Sequence, residues 1–214
     1  MALRALIFDV DGVLVQSMEA HHEAYRRVFA DYRVDIKKDE VFQNEGRRSK
    51  EVIETLAKAR SLRLTPEQVE EMNQKKQKVF YSFGPLPLYP GVPELVAKAK
   101  SEGLMLGAVT GTTRANVEQH LGVLLKKFDV LVAQEDVRHT KPDPEPYLAA
   151  LTKLGVKASA AIVVENAPLG IRSAKAAGIR VVAITSTMPR EAVAAADIIV
   201  SSIKDVWGAV EKLR

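Results

Sequence analysis

The stretch ALIFDVDGVLVQS, residues 5–17, begins as a continuous apolar run and then carries two carboxylates, Asp9 and Asp11, followed by Gly12. A short apolar run of this kind is typical of a strand buried on both faces of a parallel sheet. Residues i and i+2 of a strand point to the same side, so both carboxylates can face one ligand. A polar turn at the strand end, with Gly12 supplying the bend, explains the pair without any site. An EF-hand calcium loop is excluded because Ala20 stands where that loop requires glutamate.

Similar apolar runs recur along the chain and alternate with helical patterns after residue 90. Five runs and a weaker sixth predict strands at Leu3–Val10, Leu104–Val109, Val130–Ala133, Ala160–Val164, Arg180–Ile184 and Asp197–Val200. Helical periodicity predicts helices at Val92–Ser101, Arg114–Leu121, Glu145–Leu154, Leu169–Ala177 and Asp205–Leu213. This alternation predicts an α/β fold, in which a Rossmann-like, doubly wound parallel sheet is covered by helices on both faces.

Residues 16–84 interrupt the alternation, since they show helical periodicity and no convincing strand. Within them, the sequence Thr65-Pro66-Glu67-Gln68 has the pattern of a capped helix start, with threonine as N-cap and glutamine closing a capping box. A proline-rich return follows at residues 84–91. We therefore expect an α/β core domain formed by residues 1–15 and 85–214, and an inserted helical cap domain formed by residues 16–84.

The composition is that of a globular protein and restricts the partners. The 214 residues are 47% hydrophobic, contain no cysteine and carry a net charge of +4, which favours anionic ligands without indicating nucleic acid. The basic stretch at residues 75–78 follows acidic residues, so we expect a solvated helix face there. The first apolar run is too short for a signal peptide, and no run reaches the length of a membrane span. We expect a soluble cytoplasmic protein, monomeric by default with a dimer as the alternative.

Polar residues follow three of the other predicted strands. Ligands of open α/β sheets bind outside the carboxyl ends of the strands, which is where Thr110-Gly111 and Glu165-Asn166 stand and where a loop leads to Lys141. A hydroxyl and a glycine before a helix start can bind an anion, a lysine can hold a phosphate charge, and carboxylate and amide oxygens suit Mg²⁺. Taken singly, each has an ordinary alternative, namely a helix cap, a surface lysine and an Asx turn.

The order of these groups is more informative than any one of them. Asp-x-Asp, threonine, lysine and Glu-Asn follow separate predicted strands and supply a nucleophile, an acid/base, an anion pocket, a charge anchor and a metal site. Phosphoryl transfer requires this combination, because its catalysis consists mainly of positioning and charge stabilisation. For the acid/base role, we expect burial and the neighbouring carboxylate to raise the pKa of Asp11.

Four motifs resemble those of the haloacid dehalogenase superfamily, in its helical-cap phosphatase and phosphomutase branch. They are FDVDGVL at residues 8–14, Thr110, KPDPEPY at residues 141–147 and VVENAPLGIRSAKAAG at residues 163–178. The helical insert after the first strand also stands where this branch carries its cap. The resemblance covers nearly the whole chain and implies a phosphatase with a Rossmann-like core.

The resemblance implies a role for each residue of the first and last motifs. Asp9 would attack phosphorus to form an aspartyl-phosphate, and Asp11 would protonate the leaving oxygen and then activate water. Mg²⁺ would be bound by the Asp9 carboxylate, the Asp11 backbone carbonyl and the pair Glu165 and Asn166. Relatives that remove halide lack an aspartate at the position of Asp11, which argues against dehalogenation here.

The second and third motifs would bind the phosphoryl group through Thr110, the amide of Gly111 and Lys141. One residue departs from the pattern, since many relatives carry aspartate at the position of Asn166. Asparagine keeps an oxygen ligand but loses a charge, so we expect weaker Mg²⁺ binding, partly compensated by Glu165. The departure also leaves open a non-catalytic phosphate-binding module.

The cap is expected to select the substrate, a small phosphorylated metabolite of the phosphoglycolate or sugar-phosphate type. His21 matches a histidine of mutases similar to β-phosphoglucomutase, and Arg47 and Arg48 stand in a loop where relatives place substrate-binding residues. The alternatives are a solvent-facing histidine and two surface charges. We also expect His120 to be an ordinary surface residue. The expected function is Mg²⁺-dependent phosphomonoester hydrolysis; the alternative is a β-phosphoglucomutase-like phosphomutase.

Overall fold

The computed structural model describes residues 2–214, and its core is a six-stranded parallel sheet. The strands are β1 Ala5–Asp9, β2 Met105–Val109, β3 Val130–Val132, β4 Ala161–Glu165, β5 Arg180–Ile184 and β6 Ile198–Val200. Their spatial order is β3-β2-β1-β4-β5-β6. All six predicted strands are present, the weaker sixth included, and the predicted α/β fold class is confirmed.

Helices cover both faces of the sheet because successive strand residues are apolar on both sides. On β1, Leu6 and Phe8 pack in one apolar cluster and Ala5 and Ile7 in another, and all four side chains are inaccessible to solvent. The helices of the core are α5 Val92–Ser101, α6 Arg114–Leu121, α7 Glu145–Leu154, α8 Pro168–Ala176 and α9 Val206–Leu213. Helices α5, α6 and α9 pack on the first face, and α7 and α8 on the second.

The segment between β1 and α5 contains four helices and no strand. They are α1 Met18–Ala30, α2 Lys38–Phe42, α3 Ser49–Lys58 and α4 Pro66–Ser82. The predicted capping box is present, because the Thr65 hydroxyl accepts from the amide of Gln68 at 3.3 Å and the Gln68 side chain accepts from the amide of Thr65 at 2.8 Å. Helix α2 was not predicted, since five residues are too few to show a helical period.

These four helices enclose an apolar cluster of their own, separate from the two clusters of the sheet, with Phe29 and Ile53 completely buried in it. A separate core is what an inserted cap domain requires, although the exact domain boundaries stay a prediction. Within residues 2–214, no helix combines the length and apolarity needed to cross a membrane.

Candidate active site

A cavity lies between the cap helices and the carboxyl ends of the central strands. The strand register explains how the core contributes to it. Asp9 pairs with Val109 of β2, and Phe8 pairs with Val164 of β4, so Asp9, Thr110 and Glu165 emerge at one edge of the sheet. Asp9, Asp11 and Gly111 line the cavity together with side chains of the cap. The polar strand ends are therefore brought together as the sequence predicts.

Lys141 is at the centre of the buried charges on the core side. Its Nζ lies 2.5 Å from Asp9 Oδ1 and 2.7 Å from Glu165 Oε1, and its side chain is 1% exposed. Burial favours the neutral amine, but the two carboxylates outweigh it and raise the pKa of Lys141, so the ammonium is retained. Burial raises the pKa of Asp9, and Glu165 and Asp11 add to this against the opposing effect of Lys141. Further positive charge at this site would therefore favour the ionised Asp9.

Asp11 accepts hydrogen bonds from three side chains. Ser17 Oγ donates at 2.6 Å, His21 Nε2 at 3.1 Å and Thr110 Oγ1 at 3.2 Å. Burial acts to raise the pKa of Asp11, but contacts with His21 and Ser17 outweigh it and lower the pKa below its usual value. The expectation of a raised pKa was therefore wrong. Donors from three directions stabilise the carboxylate more than burial destabilises it.

Lys76, on α4, is a site residue that the sequence reading missed. Only 2% of Lys76 is exposed, and its Nζ donates to His21 Nδ1 at 3.0 Å while lying 4.7 Å from the centre of the Phe80 ring. Burial lowers the pKa of Lys76 to about 8; burial and the charge of Lys76 together lower that of His21 to about 4. The ring of His21 is thus neutral at pH 7, and its Nε2–H is directed to Asp11.

The expectation of a solvated helix face at residues 75–78 was therefore wrong for Lys76, although Lys75 and Lys78 are exposed. A signal was present in the sequence. Lys76 follows Met72 by four residues and precedes Phe80 by four, so it falls on the apolar face of α4. A lysine on such a face requires a polar partner inside the protein.

The two arginines of the cap loop have different surroundings. Arg47 lines the cavity, and its Nε is buried without a hydrogen-bond partner in the described part of the chain. Arg48 instead reaches the core, where its guanidinium donates to the carbonyls of Gln134 and Arg138 at 3.0 Å each and to that of Val137. The structure therefore brings Arg47 to the site, and uses Arg48 to connect the cap to the core.

Glu45, in the same cap loop, is a second residue that the sequence reading missed. Its Oε1 accepts from Asn166 Nδ2 at 2.7 Å, and Asn166 Nδ2 also donates to Thr187 Oγ1 at 2.7 Å. Burial and the nearby Asp9 raise the pKa of Glu45. Gly12, at φ +75°, permits this approach, because a Cβ at that position would lie 2.2 Å from Asn166 Nδ2.

Glu165 is held by four hydrogen bonds at the end of β4. Its Oε1 accepts from Lys141 at 2.7 Å and from Tyr147 at 2.9 Å, and its Oε2 accepts from the amides of Asn166 and Ala167 at 2.9 and 3.0 Å. The carboxylate fits because Gly170 has no side chain, since a Cβ there would lie 1.6 Å from Oε1. The role predicted for Glu165 as a direct metal ligand stays a prediction, and its geometry is that of a supporting charge.

Two buried oxygens of the site have no hydrogen-bond partner within residues 2–214, namely Asp9 Oδ2 and Asn166 Oδ1. An unpaired buried oxygen is costly, and a hard divalent cation such as Mg²⁺ prefers ligands of this type. A cation would also favour the ionised form of Asp9. The residues present therefore fit a Mg²⁺ ion bound by Asp9 and Asn166, and the role of the Asp11 backbone carbonyl stays a prediction.

His120 is not the surface residue that we expected. It is 7% exposed, its Nδ1 accepts from the amide of Leu86 at 3.2 Å, and its ring lies edge-on to Phe80 at 5.4 Å. It thus connects α6 to the return segment after the cap. The sequence around His120 does not indicate that it is buried, because its partners are more than 30 residues away in the chain.

Comparison with known proteins shows the class of this fold and site. The sequence profile of the family described as haloacid dehalogenase-like hydrolase matches residues 6–184. The chain belongs to this family, which confirms the resemblance of its motifs and the expected class of enzyme, a phosphoric monoester hydrolase.

Similar proteins cover nearly the whole chain. Protein CbbY of Rhodobacter capsulatus is 36% identical over 201 residues, covering 89% of this chain and 88% of that protein. Validoxylamine A 7'-phosphate phosphatase of Streptomyces hygroscopicus subsp. limoneus is 33% identical, covering 95% of each. The structure of a variant of CbbY from Rhodobacter sphaeroides in complex with xylulose-(1,5)-bisphosphate has a TM-score of 0.81 at 28% identity, covering 95% of this chain and 96% of that one.

Proposed function

We propose that this protein is a Mg²⁺-dependent phosphatase that hydrolyses the monoester of a small phosphorylated sugar through an aspartyl-phosphate. The observation that carries the proposal is the meeting of Asp9 and Asp11 at the core side of a cavity covered by the cap, with Lys141 paired to Asp9. A phosphoryl group bound at Asp9 would thus meet a nucleophile, a proton carrier and a fixed cation close together.

Asp9 is the proposed nucleophile, and among the residues that the structure describes its Oδ2 has no hydrogen-bond partner to displace. Lys141 lies against the other oxygen of the same carboxylate and keeps its charge, so it can neutralise the phosphoryl oxygens as they approach. Thr110 and the amide of Gly111 stand at the adjacent strand end and complete the anion pocket. Gly111 has no alternative, because a Cβ there would lie 2.6 Å from the carbonyl oxygen of Gly46 in the cap.

The proposed Mg²⁺ ligands are Asp9, Asn166 and the backbone carbonyl of Asp11, with Glu165 as a supporting charge. When bound, the ion neutralises negative charge on the transferring phosphoryl group. The ligands are themselves held in place by other residues of the chain. Asn166 Nδ2 donates hydrogen bonds to Glu45 and Thr187, and Asn166 Oδ1 has no partner within residues 2–214.

Asp11 is the proposed proton carrier. Its lowered pKa makes it a carboxylate in this arrangement, ready to accept a proton from the water that hydrolyses the aspartyl-phosphate. His21 and Ser17 fix the direction of the carboxylate through their hydrogen bonds. The first half-reaction starts from the protonated form of Asp11, which gives its proton to the leaving alkoxide, and the proton taken from water in the second half-reaction restores that form.

The substrate class follows from the cavity. Arg47 and His21 present polar groups from the cap side, as a hydroxyl-rich or doubly anionic molecule requires. The names of the relatives, a phosphatase of validoxylamine 7'-phosphate and a protein binding xylulose bisphosphate, support sugar phosphates over phosphoglycolate.

A phosphomutase of the β-phosphoglucomutase type is the second candidate. The observation that favours it is the closed cap: His21 contacts the catalytic Asp11 and Lys76 contacts His21, so the aspartyl-phosphate would be shielded from bulk water. A mutase needs that shielding, since it returns the phosphoryl group to a sugar hydroxyl. The two candidates share every core residue and differ in the acceptor.

The test is phosphate release from a panel of sugar phosphates and phosphoglycolate, with Mg²⁺ and with the metal chelated. If the protein is a hydrolase, phosphate release should depend on Mg²⁺ and Asp9→Asn should abolish it. The variant should still fold, because asparagine keeps the shape of this buried side chain. Release by Asp9→Asn at the normal rate would refute the nucleophile. Interconversion of glucose phosphates without phosphate release would identify a mutase. If the protein shows neither activity, the phosphate-binding module is the remaining candidate.

A further inference from the structure

The proposed metal site has a neighbouring carboxylate, that of Glu45, which the family motifs do not predict. Asn166 stands where many relatives carry aspartate, so the core alone offers one carboxylate fewer to a cation. The carboxylate of Glu45 lies 2.7 Å from Asn166 Nδ2, although the two residues are 121 positions apart in the chain. Glu45 belongs to the cap loop between α2 and α3, whereas Asn166 belongs to the core.

Residues of both the cap and the core accommodate the contact between Glu45 and Asn166. Glu45 is 7% exposed and Asn166 is fully buried. Gly12 lies against the pair, and a Cβ there would approach Asn166 Nδ2 to 2.2 Å and Glu45 Oε1 to 2.8 Å. Thr187 Oγ1 adds a contact of 3.4 Å to the second oxygen of Glu45. A chance approach of a surface acid would not require a glycine and a hydroxyl at these places.

The asparagine and the glutamate form a matched pair. An aspartate at position 166 would place a second carboxylate beside Glu45, where like charges repel. The amide instead donates to Glu45, and its own oxygen, Oδ1, has no partner among residues 2–214. The amide thus serves two purposes, because it holds the cap carboxylate and keeps one oxygen for a cation.

Acidic groups outnumber basic ones around the pair. The buried set contains four carboxyl groups, Asp9, Asp11, Glu45 and Glu165, and two amines, Lys76 and Lys141. A divalent cation suits such a set, because it compensates carboxylates that burial disfavours. Substitution of Glu45 removes one of the four carboxyl groups.

We propose that Glu45 supplies the negative charge that Asn166 lacks, and that the affinity of the site for a divalent cation therefore depends on the closed position of the cap. This inference rests on the proposed metal role of Asp9 and Asn166. It makes the cap part of the metal site as well as of the substrate pocket. By linkage, the cation in turn stabilises the closed cap.

The test is Mg²⁺ binding without substrate, measured by titration calorimetry on the full chain. Glu45→Gln keeps the acceptor for Asn166 and removes the charge, so we expect Mg²⁺ affinity to fall roughly 10- to 100-fold, the usual effect of losing a supporting residue. Glu54→Gln removes a charge from an exposed position of the same cap and should change affinity less than about twofold. Should E45Q not fold, as judged by circular dichroism, Glu45→Ala carries the same test.

A double-mutant cycle isolates the pair. We expect Asn166→Asp to increase Mg²⁺ affinity more in the E45Q background than in the native one, because only there does it restore a missing charge without repulsion. Hydrogen exchange gives a second reading: Mg²⁺ should slow exchange of the amides at residues 43–48 in the native protein and not in E45Q.

Three results would overturn the inference: native Mg²⁺ affinity in E45Q, an equal loss in Glu54→Gln, or an equal gain from Asn166→Asp in both backgrounds. The failure of the proposed function is distinguishable from these. A native protein that binds no Mg²⁺ overturns both proposals, whereas one that binds Mg²⁺ in a Glu45-dependent manner and releases no phosphate overturns only the phosphatase.

Discussion

Replacing the buried Lys76 by methionine should stabilise the protein while impairing its site. Burial lowers the pKa of Lys76 from its ordinary value of 10.5 to about 8, and each pKa unit corresponds to about 1.4 kcal/mol. Keeping the ammonium inside the cap at pH 7 therefore costs about 3 kcal/mol. Loss of the hydrogen bond to His21 offsets about 1 kcal/mol of that gain. We expect Lys76→Met to raise the free energy of unfolding by about 2 kcal/mol.

The pH dependence of the free energy of unfolding gives a second check of this prediction. Between pH 8 and 10.5 the unfolded chain binds a proton at Lys76 that the folded protein does not, so native stability rises with pH across this window. The Lys76→Met variant has no such group. Its advantage should therefore be full below pH 8 and should disappear towards pH 10.5.

The assay is urea unfolding followed by circular dichroism at pH 7 and pH 10. Lys75→Met is the matched control, since Lys75 is the exposed neighbour, and should change stability by less than about 0.5 kcal/mol. A Lys76→Met protein less stable than the native one, or with an advantage that persists at pH 10, would refute the reasoning. Reduced turnover in the same variant would show that the ammonium is retained for function.

Two further substitutions test the charges and the closure of the site. Lys141→Met leaves two carboxylates buried without their cation, so it should lower the free energy of unfolding, measured with urea, by about 3–5 kcal/mol and abolish turnover. The exposed Lys127→Met is the control and should have little effect. Equal losses of stability in the two variants would contradict the buried pairing. Arg48→Ala removes the hydrogen bonds from the cap to three core carbonyls and should accelerate amide exchange in the cap loop about tenfold. Arg26→Ala, whose partner Glu23 lies within α1, should not, and matching exchange rates would exclude the proposed connection.

The sequence by itself determined the sheet and the polar groups at its edge. Buried parallel strands are continuous apolar runs, and this pattern is local, so all six strands were predicted within a few residues. Because the carboxyl ends of parallel strands meet at one edge, it followed that Asp9, Thr110 and Glu165 would lie together. The capped start of α4 is equally local and was predicted correctly.

Only the tertiary structure decided the contribution of the cap. Arg48 contacts carbonyls 86 to 90 residues away, Glu45 contacts a residue 121 positions away, and Lys76 contacts a residue 55 positions away. A charged side chain looks the same in a sequence whether water or another residue surrounds it. Its burial, and hence its pKa and partner, depends on how the cap lies against the core, and no local pattern encodes that arrangement.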